Sequence, residues 1–290
     1  MKAIALSLFV VGLMSAAGPL TAQNHKEIQR SAAIGAADPA AQILDLALML
    51  RANDLAGLVR ATVPPSAYQQ MRQAYELHRQ QPTSASERAE FAEKLAQFSA
   101  PDAVDRLMAE IEPKLVEARP KAPAAVMMGL GALQMAVLSE DTQLTADERA
   151  SIQQALPGLQ RWASDTDFLS SLAMRQTLTL VADSVRSTGI HSLDDLKSMS
   201  FEQVLGKAEN MLAASKQALL IYGLDLNAIV DSIQVEVIAI NGTTARVRTT
   251  VTVFDAPISR EHDLVLLDGR WYGKQAVEHW SAHLAEYGQG

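Results

Sequence analysis

Hydrophobic residues recur at helical spacing through most of the chain and alternate with polar residues only near its carboxyl end. Apolar side chains three or four positions apart share one face of a helix. The clearest stripes are Phe91/Leu95/Phe98, Val104/Leu107/Met108/Ile111 and Leu178/Val181/Val185. The pattern predicts an α+β protein that is mainly α, with a multi-helix domain at 38–228 followed by a small sheet.

Several helix starts are marked by a capping residue followed three positions later by an acid or an amide. The pairs are Ser84/Glu87, Thr145/Glu148, Ser192/Asp195 and Ser200/Gln203. The first side chain accepts a hydrogen bond from an N–H that has no partner within the helix, and the second reaches back to the cap. Asp38 followed by Pro39 indicates a further start. We expect eight to ten short helices.

The segment Ala122–Leu138 is the most apolar part of the chain beyond its amino-terminal region. It is shorter than the roughly 20 apolar residues that span a bilayer, and it contains Gln134 and two glycines. We therefore expect a buried central helix. The alternatives are a membrane-inserted helix and a helix that faces a partner.

From Ile233 onward, alternation predicts antiparallel strands. A three-residue loop at 241–243 would place Ala239 opposite Ala245, Val237 opposite Val247 and Ile233 opposite Val251, with Glu236 opposite Arg248. This register puts the apolar side chains on one face, whereas a two-residue loop would pair valines with arginines. The sequence therefore favours the longer loop.

A third strand is predicted at Asp263–Leu267, and it turns at Asp268-Gly269 into Arg270-Trp271-Tyr272. This dipeptide tolerates the positive φ angles of a tight hairpin. A short amphipathic helix is expected from Gln275 to Tyr287. Residues 229–290 should therefore form an antiparallel β-meander of three to four strands with a carboxy-terminal helix, packed on the helical domain.

Two segments resemble those of a known fold. Leu266-Leu267-Asp268-Gly269-Arg270-Trp271-Tyr272 resembles the closing strands of exported domains that share the cystatin-like, nuclear-transport-factor-like cone fold. The segment from Leu46 to Asp54, Leu-Ala-Leu-Met-Leu-Arg-Ala-Asn-Asp, resembles the opening helix of such domains. The resemblance implies no particular activity, because that fold serves many functions.

The amino-terminal residues indicate export. Lys2 precedes an apolar run from Ala3 to Met14, and small residues follow, as in a secretory signal peptide. We expect a signal peptide at 1–22, cleaved after Ala22 or alternatively after Ala17, and a flexible leader at 23–37. Without cysteine, neither a cysteine-linked lipid nor a disulfide can form. A periplasmic or secreted bacterial protein, without a transmembrane anchor after cleavage, is expected.

Charge and motifs restrict the chemistry. The net charge is −8 and the basic residues are scattered, so nucleic acid is not an expected partner. No nucleophile elbow or phosphate-binding loop occurs in the sequence, and no cofactor is expected. His279 and His283 are candidate metal ligands because they lie four positions apart on the last predicted helix. His25 would be third in a chain cleaved after Ala22, where a free amine and backbone nitrogens chelate copper or nickel.

These observations favour an exported envelope protein that is a non-catalytic binding or interaction protein. Its partner would be another protein or an apolar small molecule, bound by the helical layer or by the sheet. The apolar, methionine-containing segment near 126–138 supports this interpretation, because thioether side chains pack adaptably. The alternative is a periplasmic, hydrolase-like enzyme whose site is assembled only in the fold. The ligand and the oligomeric state are not indicated.

Overall fold

The fold class predicted from the sequence is confirmed. The computed structural model describes residues 38–139, 146–278 and 280. Within them, eleven helices precede a four-stranded antiparallel sheet and the start of a short carboxy-terminal helix. The predicted signal peptide and leader lie outside the described residues.

The helices are short and follow one another closely. They are α1 (Pro39–Ala52), α2 (Leu55–Thr62), α3 (Pro65–Gln80), α4 (Ala85–Ser99), α5 (Ala103–Ala118), α6 (Ala122–Leu138), α7 (Ala146–Asp165), α8 (Ser171–Ser187), α9 (Leu193–Ser198), α10 (Phe201–Ile221) and α11 (Leu226–Asp231). A 3₁₀ turn at Arg119–Lys121 joins α5 to α6.

Capping side chains begin several helices where the sequence predicts. Ser84 and Ser200 each form a complete capping box with the residue three positions later. The Ser192 hydroxyl accepts from the Asp195 N–H at 3.0 Å, and Asp38 accepts from the Ala40 N–H at 3.1 Å. Thr145 lies outside the described residues. These local signals fix helix starts because each cap pairs an otherwise unsatisfied N–H.

The chain divides into two compact units. The helical unit comprises Leu46–Met128 and Arg161–Asp231, and the sheet unit comprises the described parts of Met1–Asp45, Gly129–Gln160 and Ser232–Gly290. In the helical unit, α10 packs against α8 and α2, while α8 also contacts α4 and α5. Tyr68 and Tyr75 contact the ring of Phe201, which places aromatic packing at the start of α10.

The sheet is a meander in the strand order β1-β2-β3-β4. Its strands are β1 (Gln234–Asn241), β2 (Thr244–Val253), β3 (Ala256–Leu267) and β4 (Arg270–Gly273). The Asp268-Gly269 turn is confirmed: both residues have positive φ, 51° and 78°, as a tight hairpin requires.

The predicted three-residue loop between β1 and β2 is wrong. Asn241 pairs with Thr244, so the loop has two residues, and Ala239 lies opposite Arg246 rather than Ala245. A β-bulge between Val237 and Ala239 inserts one extra residue and restores the predicted pairing of Val237 with Val247 and of Glu236 with Arg248. The bulge lets a tight turn coexist with a single apolar face.

The third strand is longer than the prediction of Asp263–Leu267. β3 begins at Ala256, immediately after a turn in which Phe254 and Asp255 have φ of 52° and 63°. Neither residue is glycine, so the sequence carries no strong signal for this turn. The extra length pairs the whole of β2 with β3 and adds polar residues to the sheet face.

The core of the sheet unit lies on one face of the meander. Ala245, Val247, Leu264 and Trp271 are buried there, and Ile43 of α1 packs against them together with strand residues. Gln42, also on α1 and buried, accepts from the Trp271 N–H at 3.0 Å and donates its amide N–H to the Trp271 carbonyl. One side chain thus supplies both partners that a neighbouring strand would give to the open edge of β4.

Candidate binding surface

Helix α6 carries more exposed large apolar side chains than any other helix in the described part of the chain. It contains no charged residue, and Met127, Met128, Met135 and Leu138 are each more than half exposed. At 3.6 residues per turn, these four side chains fall within an arc of about 100°. We call this arc the α6 surface.

The opposite side of α6 is partly covered. Val137 is buried, and Val126 and Leu130, which precede it by eleven and seven positions, are half-buried. The predicted buried central helix is therefore wrong. When every side of a helix is apolar, no polar stripe indicates which side faces water, so composition alone suggested burial.

A single membrane crossing by α6 is incompatible with the contacts of the sheet unit. The continuous helical stretch Ala103–Leu138 is long and apolar enough to cross a bilayer by length and composition, which is weak evidence taken alone. However, Gln42 precedes α6 in the chain, Trp271 follows it, and the two are hydrogen-bonded. Both must therefore lie on the same side of any bilayer.

A polar cluster lies on the otherwise apolar face of the sheet. Arg260 and His262 alternate with Leu264 along β3, so all three point to the same face, where Thr249 of β2 is the register partner of Arg260. The Thr249 hydroxyl lies 2.9 Å from His262 Nε2. Glu148, on the first turn of α7, brings its carboxylate to 3.3 Å from Arg260 Nε.

Burial governs the electrostatics of this cluster. The Arg260 and Glu148 side chains are only 18% and 12% exposed, so their ion pair is poorly screened by solvent. Burial lowers the pKa of His262, and the neighbouring Arg260 charge lowers it further, while Glu148 and Asp263 oppose the shift. His262 is therefore neutral at physiological pH. The pair connects α7 to the sheet, which is a structural role.

Sequence reasoning missed all four residues of this cluster. The sequence shows that Arg260 and His262 alternate with Leu264, but both residues precede Asp263, where the third strand was predicted to begin. Glu148 was interpreted only as a helix-capping residue. Extending the period of two backwards from Leu264 would have placed the arginine and the histidine on the buried face.

The metal sites predicted from the sequence remain untested. His25, His279 and His283 all lie outside the described residues. Within the described ranges, no three His, Asp or Glu side chains are grouped so as to hold a metal ion.

Fold and surface together define a mainly helical α+β protein that exposes an uncharged apolar helix. Comparison of the chain with protein-family models, with curated proteins and with solved structures gives no match.

Proposed function

We propose that this chain is an exported, non-catalytic binding protein of the cell envelope, and that the α6 surface docks into an apolar groove of another protein. The observation that carries the proposal is the exposure of α6. Met128 and Met135, seven positions apart on one side, are 76% and 73% exposed. Apolar side chains on one arc of a helix are the usual anchors of helix-in-groove recognition.

The size of the α6 surface supports a docking role. Fully burying an exposed methionine or leucine side chain contributes roughly 1.5–3 kcal/mol, so covering the exposed fractions of the four side chains, 55–76% each, contributes about 4–8 kcal/mol before the costs of association. Those costs are of similar size. The surface is thus sufficient to act as the anchor of an interface, with affinity completed by contacts around it.

Methionine makes this anchor adaptable. Three of the four side chains in the α6 surface are methionines, whose unbranched thioethers fit apolar grooves of differing shape. This favours a partner protein with an apolar cleft over a rigid small molecule. An apolar small molecule, the other partner expected from the sequence, is distinguished by the experiment below.

Site-specific photocrosslinking tests the proposal. A photoreactive amino acid replaces Met128 or Met135 in the exported protein, and envelope material is irradiated and analysed by mass. We expect both positions to give the same discrete protein adduct. Leu172 on α8, which is 67% exposed, is the matched control and should not give this adduct.

A charged double variant provides the complementary measurement. Met128→Lys with Met135→Lys should abolish the adduct recorded from a photoreactive group at Met127, while the thermal unfolding midpoint stays unchanged because both side chains are exposed. A partner-free monomer, adducts identical to those from Leu172, or adducts only with lipid or another small molecule would each contradict docking to a protein. The enzyme alternative stays a prediction.

A further inference from the structure

The most exposed methionines in the described part of the chain are concentrated on α6. Met127, Met128 and Met135 are 59%, 76% and 73% exposed, whereas Met211 is 37% exposed and Met108 only 2%. The sequence contains no cysteine, so methionine supplies all of its sulfur. Oxidants add oxygen to a methionine thioether that they can reach. An oxidant in solution therefore reaches the α6 methionines most readily.

The space around these side chains accommodates an added oxygen. Met128 and Met135 are seven positions apart, so they project from the same side of α6, about 10.5 Å apart along its axis. Val137, the buried residue of this helix, lies on the opposite side. A Cβ added at Gly129 or at Gly131 would meet no atom of another segment within 4 Å. We therefore expect oxidation of Met128 and Met135 to leave the fold of the chain intact.

Each oxidation is a two-electron transfer of one oxygen atom. A sulfur lone pair attacks an oxygen of hydrogen peroxide, an S–O bond forms as the O–O bond breaks, and the peroxide is reduced to water. The reverse step needs two thiols: a methionine sulfoxide reductase removes the oxygen as water and is itself oxidised to a disulfide. Because this chain has no cysteine, those thiols belong to a separate protein.

The oxidised side chain is no longer an apolar anchor. Oxidation turns a flexible thioether into a polar, chiral sulfoxide, which disrupts methionine-rich interfaces. The sulfoxide oxygen accepts hydrogen bonds from water and finds no donor in an apolar groove, so burying it there is unfavourable. Three of the four side chains of the α6 surface are methionines. Oxidation therefore removes most of the apolar anchors of this surface.

We infer that Met128 and Met135 form a reversible oxidation site, and that peroxide closes the α6 surface to its partner by converting both side chains to sulfoxides. The oxidation itself depends only on the exposure of the two side chains. Its effect on docking rests on the function proposed above. A reductase that restores the thioethers reopens the surface, so the modification regulates docking instead of destroying it.

Mass mapping of the purified protein after graded doses of hydrogen peroxide tests the site. Trypsin places the three α6 methionines in one peptide, 122–149, and Met108 in another. We expect Met128 and Met135 to be oxidised at least about tenfold faster than Met108, because the buried thioether reacts only when the fold opens. The thermal unfolding midpoint should be unchanged at a dose that oxidises only the exposed methionines. Equal rates for buried and exposed methionines, or a lowered midpoint at that dose, would overturn the inference.

Photocrosslinking then measures the effect on docking. Purified protein with the photoreactive group at Met127 is oxidised, freed of peroxide and irradiated with untreated envelope material. We expect the protein adduct to fall about tenfold or more, and to return after treatment with the sulfoxide reductases for both epimers. The double variant Met128→Leu with Met135→Leu keeps the apolar volume but takes up no oxygen, so its adduct should survive the same dose. Met211→Leu is the matched control on α10 and should leave the sensitivity to peroxide unchanged.

The outcomes of this experiment separate the regulation from the proposed function. If the probe at Met127 gives no protein adduct before oxidation, the proposed function fails and the regulation fails with it. If the adduct forms and survives oxidation of Met128 and Met135, the regulation alone is overturned. Loss of the adduct on oxidation of the leucine double variant would overturn it as well, because another group would then carry the sensitivity.

Discussion

The contact between Gln42 and the edge strand β4 yields the sharpest stability prediction. Replacing Gln42 by methionine keeps the approximate volume of the side chain and removes both hydrogen bonds to the Trp271 backbone. Trp271 is only 3% exposed, so water does not readily replace the lost partners. The substitution therefore measures how much the Gln42 amide contributes to the free energy of unfolding by forming the hydrogen bonds that a neighbouring strand would form with β4.

The expected loss follows from the two bonds. A buried backbone group that loses its partner costs about 1–3 kcal/mol, so two such groups cost about 2–6 kcal/mol. The methionine side chain offsets part of this by remaining buried. We expect Gln42→Met to reduce the free energy of unfolding of the sheet unit by about 3 kcal/mol.

Hydrogen exchange and urea unfolding measure this loss. A decrease of about 3 kcal/mol corresponds to roughly 100-fold faster exchange of the Trp271 amide where exchange reports unfolding of the unit. Gln154→Met, at an exposed position on α7 in the same unit, is the control and should change stability by less than about 0.5 kcal/mol. If Gln42→Met behaves like this control, the reasoning about the β4 edge is refuted.

Two further stability predictions follow from the sheet unit. Because burial and Arg260 lower the pKa of His262 below 6.5, the unfolded chain takes up this proton at a higher pH than the folded chain. The stability that neutral His262 contributes is complete above about pH 6.5 and is lost as the pH falls through the pKa of the folded state. The difference in the free energy of unfolding between the unmodified protein and His262→Gln, measured by urea unfolding, should therefore shrink as the pH is lowered. A difference independent of pH would contradict the linkage. Gly158→Ala should cost about 3 kcal/mol, since the new Cβ would lie 2.1 Å from the Phe254 carbonyl oxygen. Gly206→Ala, which meets nothing within 4 Å, should instead gain up to about 1 kcal/mol, and equal thermal unfolding midpoints would refute the close approach at Gly158.

Features set by neighbouring residues were predictable. The box at Ser200 and the turn at Asp268-Gly269 each depend on residues within a few positions of one another, and both occur as expected. The pairing of Glu236 with Arg248 was also predictable, and the two side chains form an ion pair at 3.0 Å. Local chemistry and strand alternation suffice for such features.

Features that break a periodic pattern were not predictable. Residues 237–240 are all apolar, so alternation does not reveal that a bulge inserts one residue there. The turn at Phe254-Asp255 has positive φ without a glycine, and its absence from the prediction shortened the third strand. As a result, Arg260 and His262 were not placed on the buried face of the sheet.

The polar cluster of the sheet and the hydrogen bonds of Lys216 both depend on contacts between distant segments. Glu148 reaches Arg260 from another helix, and Lys216 reaches the carbonyl of Leu50 from α10. Spacing along the chain cannot indicate such pairs, because packing of the helices sets which ends meet. No local signal marks these residues either, because Glu148, Arg260 and Lys216 each have polar neighbours in the chain.

The environment of α6 is the clearest case in which local sequence is insufficient. An uncharged helix has similar composition whether it is buried in a core, inserted in a bilayer or held in a partner's groove. The hydrogen bonds between Gln42 and Trp271 are incompatible with one crossing of a bilayer by α6, and Met128 and Met135 are exposed rather than buried in the described part of the chain. Leaving such side chains in water forgoes the free energy of burying them, and this cost is the reason for proposing that a partner covers them. The partner groove proposed for the α6 surface is such a cover.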